Sequence, residues 1–308
     1  MSNEQGFLRI SIAATVVVAA LGIFFGILSG SFSIAFDGVY SLADAAMTGL
    51  ALWVSSLIVQ SARNDAKSGR IRNRFTMGFW HLEPIVLLLN GCLLVTVAVY
   101  ALINAIISII NGGHELHFGA AIVYSGATLV VCAIMAGIGA AVNRRLKSDF
   151  IALDIKAWIM SGGIAFALLV AFIIGLAVQP TSLVWIARYV DPVVLGLVCL
   201  VMIPIPITTI WKALSEILLI APVDLQEHVD RVASDTVRRL GFLSYRAYVA
   251  RVGRATEIEL YFIVPEGLPP KRLEEWDALR DEIGAAIGDE SVNRWLTIAF
   301  TADVEWAE

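Results

Sequence analysis

The first two thirds of the chain consist of long apolar stretches that are separated by short polar segments. A bilayer core is crossed by about 20 apolar residues in a helix, so each stretch is long enough to span a membrane. Helix-breaking joints stand at Ser29-Gly30, at 111–113 and at Gln179-Pro180. Pro204 and Pro206 predict a kink in the last stretch. The predicted spans are about 8–29, 32–60, 81–110, 118–143, 150–178 and 190–218.

The last third changes to the shorter periods of a water-soluble domain. Asp224 is expected to cap its first helix and Gly241 to end it. The order helix-strand-strand-helix-strand fits a small ferredoxin-like α+β layer. The sequence therefore predicts a six-helix transmembrane bundle over 1–218 and an αββαβ domain over 219–308. The predicted elements of this domain are helices at 224–240 and 271–287, and strands at 245–251, 257–264 and 295–301.

Composition supports two regions in two solvents. The chain is 58% hydrophobic and 16% charged, against about 45–50% and about 25% in soluble proteins. Its charges are concentrated in the last third, and no basic patch indicates nucleic acid. No HExxH string or nucleophile–base pair suggests an enzyme. The three cysteines lie in apolar runs without CxxC spacing, so we expect buried packing residues.

Basic residues in the loops predict the orientation. They are concentrated in the second and fourth loops, and basic loops stay on the cytoplasmic side. Six spans then place both termini in the cytoplasm. We therefore expect a multi-pass protein of the cell (inner) membrane, with the lipid bilayer as its surroundings. The residues that decide this are Arg63, Lys67, Arg70, Arg72 and Arg74 in the second loop, and Arg144, Arg145 and Lys147 in the fourth.

Three carboxylates lie within predicted spans, where an ionisable group is costly and often functional. Asp37 and Asp44 are seven residues apart and share one face of the second span, with Tyr40 between them. Asp154 and Ser161 repeat this spacing in the fifth span. Such oxygens can bind a divalent cation or carry protons. They can equally be hydrogen-bonding groups between helices, and the residues alone leave these alternatives open.

Histidines give weaker signals. His81 and Glu83 open the third span, where a structural role and a functional one are equally plausible. His114 and His117 flank Glu115 in a loop, which is compatible with a weak metal site but more typical of a solvated loop. His228 stands alone in the tail and predicts an ordinary surface or core residue.

Several strings together resemble the cation diffusion facilitator (cation efflux) family. The second span reads SFSIAFDGVYSLAD over 31–44, and the third opens with MGFWHLEP over 77–84. Asp191-Pro192 precedes the sixth span, which closes with KALSEILL over 212–219. The plan of six spans followed by a ferredoxin-like domain is also similar, so the resemblance covers nearly the whole chain.

This resemblance implies a homodimeric secondary transporter that exports Zn²⁺, Mn²⁺, Fe²⁺ or Co²⁺ in exchange for protons. The family's dimer forms through the C-terminal domain. Its four metal ligands fall here on Tyr40, Asp44, Ala157 and Ser161. Only Asp44 among them is a strong ligand, and Ala157 cannot coordinate a metal.

We therefore expect a shifted site in which Asp37 and Asp154 join Asp44, with Tyr40 and Ser161 as weaker neutral ligands. A site made only of oxygen favours harder ions over zinc. No cofactor is expected apart from the transported cation. Two alternatives stay open: a family member that does not transport and serves as a partner subunit, and a transporter of a cation that is not a metal.

Overall fold

The computed structural model describes residues 2–62, 79–146, 149–291 and 293–307. Within these ranges six helical stretches are long and apolar enough to cross a membrane, which confirms the six predicted spans. The predicted loop residues Arg63, Lys67, Arg70, Arg72, Arg74 and Lys147 lie outside the described residues, as do Met77 and Gly78. The helices of this region are α1 (Ser2–Ser29), α2 (Phe32–Ala62), α3 (Leu82–Ile110), α4 (Phe118–Leu146), α5 (Asp149–Val178), α6 (Val184–Met202) and α7 (Pro204–Ile217).

The sixth span is divided between α6 and α7. Pro204 opens α7 directly after Ile203, so the helix is interrupted at a predicted proline, because proline cannot continue the backbone hydrogen bonds of the preceding turn. The predicted kink stays a prediction. The span begins at Val184, six residues before the predicted start. The Thr181 hydroxyl accepts the N–H of Leu183 and completes the turn from which the helix starts.

The chain divides into two compact units, 1–50 with 89–209 and 51–88 with 210–308. The predicted domain boundary at residue 218 stays a prediction. In the first unit α1 and α2 pack closely because small residues face each other. A Cβ at Gly26 would meet Ala35 at 2.6 Å, and one at Gly22 would meet the Cα of Gly38 at 3.0 Å. Such contacts bring two membrane helices together without large side chains between them.

The C-terminal elements confirm the predicted αββαβ order. Strand β1 pairs antiparallel with β2, and β2 pairs parallel with β3. One face of this sheet packs on the two helices through a core that includes Val229, Ile258, Leu260 and Ile283. The elements are α8 (Val223–Leu240), β1 (Ser244–Val252), β2 (Ala255–Ile263), α9 (Leu273–Ile287), β3 (Arg294–Thr301) and a 3₁₀ turn (Val304–Ala307).

Two smaller expectations need correction. Asp224 does not cap α8: Pro222 is the cap residue with extended backbone, so Asp224 lies in the first turn, where its charge faces the positive helix end. The predicted end is right, because Gly241 adopts φ 68°. Cys132 and Cys199 are buried as expected, whereas Cys92 is exposed on the helix surface.

Candidate functional site

A cavity of about 200 Å³ lies among the helices of the first unit. All five residues of the predicted site line it, so the fold brings together side chains that are more than 120 positions apart in the sequence. Its polar wall comes mainly from α1, α2, α4 and α5. The polar side chains that line it are Ser11, Thr15, Asp37, Tyr40, Ser41, Asp44, Thr48, Thr128, Cys132, Asp154, Trp158 and Ser161.

Two of the cavity's carboxylates come from α2, and each receives a neutral donor from another helix. The hydroxyl of Tyr124, on α4, donates to Asp37 Oδ2 at 3.2 Å. The amide of Asn90, on α3, hydrogen-bonds to Asp44. In the described part of the chain neither carboxylate forms an ion pair. Their negative charge is therefore solvated by dipoles but not neutralised.

The third carboxylate belongs to α5 and is held from α1. Ser11 donates its hydroxyl hydrogen to Asp154 Oδ1 at 2.8 Å, and the indole N–H of Trp158 donates to Ser11 Oγ at the same distance. Asp154 Oδ2 is buried and has no hydrogen-bond partner among the described residues. Like Asp37 and Asp44, Asp154 forms no ion pair with a described residue.

The carboxylates lie at different depths along the bundle. Two contacts with α1 show these depths. Asp154 contacts Ser11 of α1, whereas Gly38, the neighbour of Asp37 on α2, packs against Gly22 of α1. At 1.5 Å per residue these two levels of α1 are about 16 Å apart. Asp37 and Asp154 thus stand near opposite ends of the cavity.

Asp44 stands between these two depths. It lies two turns after Asp37 on α2, which is about 10 Å along the helix axis. Among the described residues no three His, Cys, Asp or Glu side chains are close enough to hold one metal ion. The carboxylates are thus arranged as successive positions along one cavity, and the assignment of the five residues as ligands stays a prediction.

A model of the cation efflux transmembrane domain matches residues 8–218, which is most of the chain. The chain belongs to the cation efflux family. Members of this family are transporters that move metal cations across membranes. No curated protein matches the chain. Together with the six apolar helices, the match establishes a multi-pass membrane protein that transports cations.

Sequence reasoning missed several residues that shape the cavity of this cation efflux protein. Asn90 and Tyr124 carried a usable signal, since an amide or a phenol inside an apolar span needs a partner. Ser11 carried none, because serine is common between membrane helices.

A second polar cluster surrounds Asp191, where α1 ends and α2 begins; we call this the Gly30 end. Asp191 is 1% exposed. It accepts the hydroxyl of Ser31 at 2.5 Å and the backbone N–H groups of Phe32 at 2.9 Å and Ser33 at 3.3 Å. His114 Nε2 lies 3.3 Å from Oδ2, the oxygen that also accepts the N–H of Phe32. This aspartate caps the helix that carries Asp37 and Asp44, and its four partners make it structural.

The loop histidines separate into two environments. The carboxylate of Asp191 raises the pKa of His114 above its ordinary value, and burial opposes this only in part. Ser108 Oγ lies 3.1 Å from its other ring nitrogen. His117 is exposed, and Glu115 pairs with Arg188 at the surface. In the described loop these groups do not converge on a metal site.

Of the remaining candidates, which lie in the second unit, Glu83 and His228 have structural partners, whereas His81 is exposed. Arg254 contacts the Glu83 carboxylate at 3.2 Å, and Glu216 accepts the backbone N–H of Gly253 at 3.1 Å. These contacts join the β1–β2 turn to the start of α3 and the end of α7. His228 contacts the carbonyl oxygen of Ile287 at 3.0 Å, which links α8 to α9.

Proposed function

We propose that the protein exports a divalent metal cation from the cytoplasm in exchange for protons, through the cavity lined by Asp37, Asp44 and Asp154. One observation carries this proposal: three carboxylates line a single cavity in a membrane bundle, and none has a cationic partner among the described residues. Uncompensated negative charge in such a place is costly. A passing cation or a proton removes that cost.

The donor atoms favour a hard cation as cargo. The five proposed ligands, which are three carboxylates and the hydroxyls of Tyr40 and Ser161, supply oxygen only, Ala157 supplies nothing, and Cys132 is the one sulfur-bearing side chain among the described lining residues apart from Met202. Oxygen sites suit Mn²⁺ better than Zn²⁺, which prefers histidine and cysteine. Because Asp37, Asp44 and Asp154 lie at successive depths along the cavity, the cation could pass stepwise from one carboxylate to the next.

Exchange follows from competition for the same oxygens. A carboxylate that binds a metal ion must first lose its proton, so loading with metal releases protons. Alternating access then requires that metal and protons favour different states of the carrier. The proposed direction rests on cytoplasmic termini in the cell (inner) membrane, which the basic second and fourth loops support.

We also propose a homodimer that forms through the C-terminal domain. Side chains alternate across the sheet, so the face opposite α8 and α9 carries Tyr248 and Trp295, both exposed. Trp306, in the adjoining 3₁₀ turn, is 76% exposed. Exposed aromatic residues are typical of protein interfaces, and a second copy of this domain would cover them.

Uptake into inside-out membrane vesicles tests the transport proposal. Mn²⁺ should accumulate when the vesicle interior is acidic, and dissipating the pH gradient should stop it. The double variant Asp44→Asn, Asp154→Asn keeps the shape of the side chains but removes two charges, so uptake should fall at least a hundredfold. Asp235→Asn, in an exposed ion pair of the tail, is the matched control and should transport normally.

The alternatives give different results in the same assay. Unchanged Mn²⁺ uptake by the double variant would overturn the proposed pathway. Uptake of a monovalent cation and of no divalent one would identify a different cargo. Absence of any transport, together with co-purification of a related chain, would indicate a partner subunit.

A further inference from the structure

We infer that Ser11, on α1, is a positioning residue for cation binding, because it joins Trp158 and Asp154 in one directed hydrogen-bond chain at the wall of the cavity. The inference rests on the proposed function and deepens it. Neither the family match nor the sequence pattern assigns a role to α1.

The direction of this chain is fixed by chemistry. An indole N–H can only donate, and a serine hydroxyl has one hydrogen. Since Trp158 donates to Ser11 Oγ at 2.8 Å, the hydrogen of Ser11 is directed to Asp154 Oδ1, also at 2.8 Å. Ser11 is 1% exposed and Trp158 is 5% exposed, so both side chains are largely shielded from solvent.

The second carboxylate oxygen is left for the cargo. Asp154 Oδ2 is buried and has no hydrogen-bond partner among the described residues. A buried anionic oxygen without a partner is unfavourable, and such an exception in a well-packed wall needs an explanation. A cation in the cavity supplies the missing partner, while Ser11 holds the other oxygen and so fixes the side-chain orientation.

The neutral character of the donor matters for this role. A lysine or arginine in place of Ser11 would neutralise Asp154 and remove its attraction for a metal ion. A hydroxyl orients the carboxylate and preserves its charge. Simple hydrogen bonding between helices, the rival explanation, would make Ser11 important for stability but not for the affinity of transport.

Mn²⁺ uptake by inside-out vesicles, measured over a range of concentrations, separates these explanations. Ser11→Ala should raise KM about tenfold, the loss expected for one hydrogen bond to a charged group, and change the maximal rate less than twofold. Ser11→Thr retains the hydroxyl and should restore KM to within about twofold of the wild type. Trp158→Phe keeps an aromatic ring but removes the N–H that donates to Ser11, and should raise KM about threefold.

Ser125→Ala is the matched control. Ser125 is equally buried, but its hydroxyl donates only to the carbonyl oxygen of Ala121 in its own helix, at 2.8 Å. This variant loses the same atom from the interior of the bundle and should keep the KM of the wild type.

A binding measurement makes the result independent of transport. Mn²⁺ should raise the unfolding temperature of the purified full-length protein, and Ser11→Ala should shift the half-maximal concentration about tenfold. If the wild type responds and Ser11→Ala has the same KM and the same half-maximal concentration, Ser11 does not position Asp154. A KM in Ser11→Thr as high as in Ser11→Ala would also overturn the role of the hydroxyl. A wild type that neither transports nor binds any divalent cation would overturn the proposed function, and this inference with it.

Discussion

Asp191 and Asp154 belong to the same helical unit, yet their surroundings differ sharply. At the Gly30 end Asp191 accepts a hydroxyl and two backbone N–H groups, and His114 stands beside it. In the cavity Asp154 accepts one hydroxyl, and its second oxygen has no described partner. A carboxylate with a complete set of donors holds a structure together. A carboxylate with an incomplete set of donors can still bind a cation or a proton reversibly.

The largest test removes each carboxylate in turn. Asp191→Ala leaves a hydroxyl and two backbone N–H groups without their acceptor, so the free energy of unfolding should fall by about 4 kcal/mol. Asp154→Ala removes the acceptor of the Ser11 hydroxyl but also removes the buried oxygen that has no described partner, so the change should be below about 1 kcal/mol. Thermal unfolding of the purified proteins in detergent measures both.

In a transport assay the order of the two variants should be reversed, so that the more stable variant, Asp154→Ala, loses more activity. Asp154→Ala should abolish Mn²⁺ uptake although the protein is well folded. Any Asp191→Ala protein that folds should retain measurable uptake. Equal losses of stability in the two variants would contradict the distinction between a structural and a functional carboxylate.

Much of this architecture could be predicted from hydrophobic periodicity. The six spans, the break at Pro204 and the αββαβ tail follow from the lengths of apolar runs and from glycine and proline positions, which act locally. The five predicted site residues line one cavity because their sequence spacing places them on single helix faces.

The relative depth of the carboxylates could not be predicted in this way. It depends on which residue of α1 lies against Gly38 and which lies against Asp154, and such packing is set by contacts between distant parts of the chain. The role of Asp191 as a helix cap was also hidden, since its partners are 158–160 residues away in the sequence. A motif places residues on a face, but only the fold determines their partners.

Two glycines of α2 extend the comparison from charges to packing. A Cβ at Gly38 would meet backbone atoms of Ile23 and Ala19 at 2.6 and 2.7 Å, whereas a Cβ at Gly49, on the same helix, would meet nothing within 4 Å. Gly38→Ala should therefore lower the free energy of unfolding by about 2 kcal/mol. Gly49→Ala should be neutral or slightly stabilising, because alanine favours a helix.

Thermal unfolding of the two glycine variants also tests how rigidly α2 is held near its start. Similar unfolding temperatures would mean that α1 moves away from Gly38 at little cost. The close contact at Gly38 would then not hold α2 rigidly against α1.

The smallest expected effect concerns the charge on His114. Its pKa is raised in the folded protein by the Asp191 carboxylate, so its protonated form stabilises the fold. This contribution is complete below the unfolded pKa, which is about 6.5, and is lost as the pH rises through the higher folded pKa.

The variant His114→Gln can keep a hydrogen bond but not the charge. Its free energy of unfolding should thus be about 1 kcal/mol below that of the wild type at pH 5.5, and the gap should narrow as the pH rises through the folded pKa of His114. His117→Gln, an exposed neighbour, should show no such gap. A deficit for His114→Gln that does not change with pH would mean that Asp191 uses His114 as a neutral donor, and that its set of partners is complete without a positive charge.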